Sequence, residues 1–373
     1  MLKTQRISLA VCGLVLSSTM AFGADTIDAA FKEGKVSGAL AAYGISTDNK
    51  DNNADSAFTS GAVSLGFETA AVKGFSAKAG FIGVHEFSEK NDNDASDIAS
   101  KSLMTEAYVK YANDLFSLTA GRQAVDLEWM GDFHEAVVAG ITAVPDTTIV
   151  LGYTDKIAVA GVDEVYEKFS GDFNDDGIKD SGAYVADVKY TGLKSVEFNP
   201  YAYSATDIAN WYGLKTTFTA DMFGAVAHYA ASNEDVTGTE DGSIGHVELN
   251  TKISDFTAAA GYIKTDKDGG AGSMSALGDN ISPFEDGNYV YDTNAKTVYG
   301  SLGYTIAGVE LGALYGETTY FADKFKEKEL NLTAGYSITE ALAASILYGD
   351  VAADKDNGDF DYNKVLATVE YTF

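Results

Sequence analysis

"NKVLATVEYTF", Asn363–Phe373, closes the chain and decides how the rest is read. Val365, Ala367, Val369, Tyr371 and Phe373 fall on one face, and Leu366, Thr368, Glu370 and Thr372 on the other. A period of two with one apolar face is the signature of a strand. The same alternation recurs upstream. Val63, Leu65 and Phe67 alternate with Ser64, Gly66 and Glu68, and Leu330, Leu332, Ala334 and Tyr336 alternate with Glu329, Asn331, Thr333 and Gly335.

Eighteen such segments can be read, at 36–46, 58–70, 75–87, 102–112, 115–125, 134–142, 147–155, 183–191, 195–204, 208–219, 222–232, 244–253, 256–265, 295–305, 308–319, 328–338, 342–351 and 362–373. Most run roughly 9–13 residues, the length a tilted strand needs to cross a bilayer. Short turns alternate with longer, acidic, Gly-rich connections at 47–57, 88–101, 126–133, 156–182, 233–243, 266–294, 320–327 and 352–361. An even strand count, with short turns at one end and long loops at the other, predicts an all-β transmembrane antiparallel barrel of about 18 strands. Its short turns would be periplasmic and its long loops extracellular. Aromatics such as Phe75, Tyr111, Phe116, Phe218, Phe223, Tyr304 and Tyr336 gather beside the short turns, as a girdle at one membrane boundary would require. Pro200 lacks the N–H a central strand uses and is read as a bulge in the ninth strand.

Composition narrows the function. No stretch past residue 23 approaches the roughly 18 uncharged apolar residues of a membrane helix. Met1–Gly23 reads as a secretory leader, with Lys3 and Arg6 before an apolar run and small residues at Ala21 and Gly23, so cleavage is expected before Ala24. Residues 24–35 then form a periplasmic lead-in and 36–373 a single barrel domain. Cys12 is the only cysteine and leaves with the leader, which excludes disulfides and thiol chemistry from the mature chain. Without Lys3 and Arg6 the balance is 24 Lys+Arg against 55 Asp+Glu, a net −31. So acidic a chain does not favour nucleic acid. The partners expected are outer-membrane lipid, lipopolysaccharide and small hydrophilic solutes.

Three stretches resemble the OprD-like outer-membrane porins, in particular the major porins of epsilon-proteobacteria. They are "TIDAAFKEGKVSGALAAYGI" at 26–45, "AYVKYANDLFSLTAGRQAVD" at 107–126 with its Gly121-Arg122-Gln123, and the terminal Tyr371-Thr372-Phe373. The resemblance implies an 18-stranded diffusion channel in the cell outer membrane and admits a homotrimer. It departs after Gly-Arg-Gln, where "AVDLEWMGDFHE" replaces a Pro- or Thr-containing turn.

Two groups of residues bear on function. The connection 126–134, with Asp126, Glu128, Trp129, Asp132 and His134, is the best candidate for folding into the lumen, with Arg122 facing it. Opposed acids and a base across a narrowing would set charge selectivity. The competing reading is that Arg122 only ties down the loop root. The second group lies in the connection 156–182, where "DFNDDGIKD" places Asp172, Asn174, Asp176, Ile178 and Asp180 at ligand positions of a calcium loop, with Gly177 at the tight turn. Position twelve is Ala183 rather than Glu, and no helices flank it, so this is no EF-hand. Either calcium rigidifies this loop or it is an acidic turn in solvent; no cofactor is otherwise required.

His85, His134, His228 and His246 are scattered, with no H-E-x-x-H or G-x-S-x-G around them. The reading is a porin, passive and not an enzyme, preferring cations. The alternatives are a plugged barrel acting as a surface adhesin or receptor, and an outer-membrane hydrolase.

Overall fold

The computed structural model describes residues 23–50, 53–173 and 177–373. The leader, apart from Gly23, and Asn174 and Asp176 of the calcium motif lie outside the described residues.

A short helix α1 (Ile27–Lys32), capped by Thr26 through the Ala29 N–H at 3.2 Å, precedes the barrel. Ala30 packs with Ala24 and Ala70 beneath the first short turn, and Phe31 stacks on Phe67. The first six strands are β1 (Lys35–Asn49), β2 (Ser56–Glu68), β3 (Phe75–Glu89), β4 (Ser102–Ala112), β5 (Phe116–Ala124) and β6 (Phe133–Ile141). Next come β7 (Thr147–Ala158), β8 (Ala183–Leu193), β9 (Val196–Ala205), β10 (Ala209–Thr219), β11 (Phe223–Glu234) and β12 (Ser243–Ile253). The last are β13 (Phe256–Thr265), β14 (Lys296–Ile306), β15 (Val309–Tyr320), β16 (Phe325–Ser337), β17 (Leu342–Ala352) and β18 (Tyr362–Thr372). Each matches an expected segment, with ends displaced by three residues at most. Every strand pairs antiparallel with its chain neighbours, and β18 pairs with β1, so the sheet closes and has no free edge.

The alternation falls as the sequence requires. Val63, Leu65, Val365, Val369 and Tyr371 point outward and are exposed, whereas Ala39, Ala41 and Tyr43 of β1 are buried inside. The outward belt is apolar, carrying Leu249, Val298, Leu302, Leu311 and Ile346. At the short-turn end Phe75, Tyr111 and Phe116 form a chain of rings with centroids 4.9 and 5.4 Å apart. In the β14–β15 turn, Ala307 and Gly308 both have positive φ (51° and 83°), the backbone of a tight hairpin whose twist matches its strands.

Pro200 sits inside β9 and faces outward. Its register with β10 is unbroken, while the β8–β9 ladder shows its irregularity between Tyr190 and Leu193. Beside the proline, Asn199 donates its side-chain amide to the Val188 carbonyl at 3.0 Å, replacing a bond that Pro200 cannot make. The expected bulge therefore lies nearer the short turn than Pro200 itself.

The seam between the first and last strands depends on the terminal residue. Phe373 and Gly38 exchange both backbone hydrogen bonds, at 2.9 and 3.0 Å. The Phe373 ring also covers Gly38, where a Cβ would lie 2.7 Å from it. Deleting Phe373 is expected to lower the yield of folded barrel, read as loss of the heat-modifiable band in gel electrophoresis. Unchanged yield would show that the seam closes without it.

Candidate functional site: the narrowed lumen

The barrel is not an empty tube. The β5–β6 loop, residues 125–132, turns inward and reaches the wall formed by β9 to β11. Its root is closed by the Val125 N–H donating to the Asp132 carbonyl (2.9 Å) and Leu127 to Met130 (2.8 Å). Trp129 at the tip is fully buried. Its indole N–H donates to the Tyr201 hydroxyl at 2.7 Å, and its backbone N–H to the Tyr203 hydroxyl at 3.4 Å.

A polar chain continues from that tip. The Tyr201 hydroxyl also lies 2.6 Å from His228 Nε2. The other ring nitrogen of His228, Nδ1, faces Glu128 Oε1 at 3.5 Å. The other oxygen of Glu128 pairs with Lys215 at 2.7 Å. Lys215, His228 and His246 are register partners on three adjacent strands. His246 Nε2 lies 2.8 Å from the Tyr299 hydroxyl, which donates to Glu248 at 2.7 Å.

The β13–β14 connection, residues 266–295, is a second inward element. Its Leu277 carbonyl accepts from Gly131, and Asn280 donates to the Leu127 carbonyl, both at 2.9 Å. Met274, Leu277, Ile281 and Val290 are buried with Trp129, Tyr203, Trp211 and Ile263 in the larger apolar cluster. Farther along, the Asp286 and Gly287 N–H groups donate to Glu329 (3.0 and 2.9 Å), Asn288 donates to Glu327 (2.9 Å), and Lys364 pairs with Asp286 (2.6 Å). Glu329 thus anchors a loop rather than standing free in solvent. Burial pushes the Tyr291 hydroxyl of this connection well above its ordinary range, and the hydroxyl donates to Asp279. At the loop's start two backbone N–H groups, from Asp268 and Gly269, hold the Asp266 carboxyl below its usual range.

The β7–β8 connection, residues 159–182, covers the opposite wall. Val162, Val165 and Phe169 pack against Tyr43, Ile82, Val84 and Leu103, and Ser60 donates to the Val162 carbonyl. Within it Asp172 accepts from the Gly177 N–H (2.8 Å) and Asp180 from the Phe173 N–H (2.7 Å), while Ile178 is exposed.

Of the residues singled out in the sequence, Glu128 enters the lumen and is buried, whereas Asp126 and Asp132 are exposed. Beside the buried Gln123, Arg122 is half-buried. Its guanidinium pairs with Glu135 at 2.8 Å, donates to the Met104 carbonyl at 3.1 Å and lies over the Phe169 ring at 4.4 Å. The base opposite Glu128 is therefore Lys215, a residue sequence reasoning did not single out. His134 is fully buried between Thr154 and the Gly131 carbonyl.

Neither a protein-family model nor a curated protein matches the chain. Solved structures do. Pseudomonas aeruginosa OccK3 (OpdO) superposes with a TM-score of 0.76 at 13% identity, over 93% of this chain and 97% of that one. Acinetobacter baumannii OccAB4 gives 0.74 at 16%, over 91% and 98%. Pseudomonas aeruginosa OpdK, solved with vanillate, gives 0.75 at 15%, over 92% and 99%. Likeness at these identities establishes the closed 18-stranded fold.

Proposed function

We propose that this chain is an outer-membrane diffusion channel of the OprD-like type, passing small hydrophilic solutes and ions with a preference for cations. The observation that carries the reading is a closed 18-stranded barrel with an apolar outward belt, whose interior holds the polar chain from Glu128 and Lys215 through His228 and His246 to Glu248. A sheet of this kind leaves no backbone group unpaired in lipid, and a barrel of this strand number encloses an aqueous lumen. The barrels it superposes on include Occ channels of Pseudomonas and Acinetobacter. The resemblance to epsilon-proteobacterial porins, the leader cleaved near Ala24 and a homotrimeric assembly belong to the same proposal.

Cation preference is supported by charge placement. Among the described residues, and histidines and tyrosines aside, the buried ionisable side chains are the carboxylates Glu128, Asp180, Asp187, Glu248, Glu327 and Glu329, with Lys364 the only base. The acidic loops add a negative mouth, whose field reaches about 10 Å at 0.1 M salt. The test is the reversal potential across a KCl gradient. A sign that favours K⁺, strengthening as salt is lowered, is expected. A sign that favours Cl⁻ would give control of permeation to Lys215 and Lys364.

Calcium at the 159–182 connection is part of the proposal. Extracellular-type sites bind at roughly 10⁻⁴–10⁻³ M. Millimolar calcium is therefore expected to protect this loop from limited proteolysis, and Asp172→Ala with Asp176→Ala to abolish the protection. Cleavage indifferent to calcium and to both substitutions would leave an acidic turn in solvent.

A further inference from the structure

The segment "KFKEKEL", Lys324–Leu330, sorts its charges by parity. Glu327 and Glu329 are buried toward the lumen, while Lys326 and Lys328 are exposed on the outer wall. The register places further lysines beside them. Lys264 lies opposite Lys296, Lys296 opposite Thr319, and Thr319 opposite Lys326, making one row across four adjacent strands. The row beneath, two residues or about 7 Å along the strands, is Tyr262, Val298, Glu317 and Lys328. Two residues lower again come Ala260, Gly300, Tyr315 and Leu330, with Leu302 and Leu332 below them. Within this sector the outer surface passes from ammonium groups to bare apolar belt.

Four outward lysines in one place are conspicuous in a chain with 26 Lys+Arg and a net charge of −29. Their neutralisation is incomplete. Asp323 pairs with Lys296 at 2.8 Å, and Glu317 serves both Lys326 (2.8 Å) and Lys328 (3.7 Å). Lys264 has no ion-pair partner among the described residues, though it directly faces another lysine, an arrangement that repels. In the turn above, Lys324 lies over the Phe325 ring at 4.2 Å, and the Asp354 carboxylate accepts the Lys326 backbone N–H.

We propose that the outer rim of β13–β16 binds the phosphate groups of a phosphorylated glycolipid in the surrounding outer leaflet. The acyl chains would lie on Val298, Leu302, Tyr315 and Leu332, and the phosphates would answer Lys264, Lys296, Lys326 and Lys328. The inference rests on the outer-membrane reading above and adds a lipid site on the barrel's exterior, away from the lumen.

The test uses lipid-stripped, full-length barrel in detergent, titrated with bis-phosphorylated lipid A, with the same lipid dephosphorylated, and with a zwitterionic phospholipid. Retention is read by native mass spectrometry. A lysine beside an anionic lipid surface contributes roughly five-fold in affinity. The phosphorylated form should therefore bind at least tenfold tighter than the dephosphorylated one. A Lys264→Gln, Lys326→Gln, Lys328→Gln variant should lose that advantage, and a Lys32→Gln, Lys73→Gln, Lys252→Gln control at the short-turn end should keep it. Equal retention of both lipids by the wild type overturns the proposal, as does a site variant that binds like the wild type. Displacement by millimolar inorganic phosphate overturns it too, since that would mark a small-anion site. If the site variant does not fold, the two-lipid comparison on the wild type still decides. Bilayer conductance of the same preparations reads the channel separately. A barrel that retains the lipid and never conducts would remove the channel reading and keep the site.

Discussion

Replacing Trp129 with alanine is expected to raise single-channel conductance several-fold and to make the open level noisy. The side chain is the hook by which the β5–β6 loop grips the far wall, through the indole bond to Tyr201 and burial among Tyr203, Trp211 and Met274. Truncating a buried tryptophan costs about 3–5 kcal/mol. Here that cost falls on the attachment of one loop rather than on the barrel ladder, which holds the fold by itself. Two bonds to the 266–295 connection remain, from Gly131 to Leu277 and from Asn280 to Leu127. The loop should therefore fluctuate about its root instead of leaving the lumen. Planar-bilayer recording of the variant beside the wild type checks this; identical conductance and noise would mean that the loop does not narrow the conducting path.

Lys215→Met is expected to do larger chemical damage at the same place. Glu128 is buried, and without Lys215 its remaining neighbour is the imidazole of His228. Removing one partner of a buried ion pair costs about 3–5 kcal/mol because the other charge is stranded. Lys215 is about a quarter exposed, with a side-chain value of 26%, which puts the loss near the lower end, about 3 kcal/mol. The loop is expected to loosen, the urea midpoint to fall and K⁺ selectivity to rise as a carboxylate is uncovered. Glu128→Gln added to Lys215→Met should recover most of the stability, a non-additivity that marks direct coupling. Strictly additive losses would show that the two side chains do not hold one another.

Much of the barrel was legible because period two is set by the pleat, and a slip of one residue would turn a whole apolar face into the lumen. Pro200 stands against the pattern, and there a side-chain amide from Asn199 takes over a backbone role that no periodicity reveals. The inward fold of the β5–β6 loop was legible from Trp129, an aromatic with no reason to sit in a solvated turn. The 266–295 connection carried a similar signal in Met274, Leu277, Ile281 and Val290, obscured by the acidic, Gly-rich sequence around them. Partners were harder. Glu128 and Lys215 meet across the lumen from positions 87 residues apart, and only barrel closure brings them together. Arg122 has partners that spacing alone does not reveal: it pairs with Glu135 and lies over the Phe169 ring.

The central claim, that an aqueous path crosses this barrel, is tested most directly by adding the purified, folded wild-type protein to a planar lipid bilayer in KCl. The account predicts discrete, ohmic conductance steps of uniform size, with a reversal potential that favours K⁺ under a salt gradient. A barrel shown to be inserted that gives no steps would contradict it, and would mean that the loops at 125–132, 159–182 and 266–295 together close the lumen.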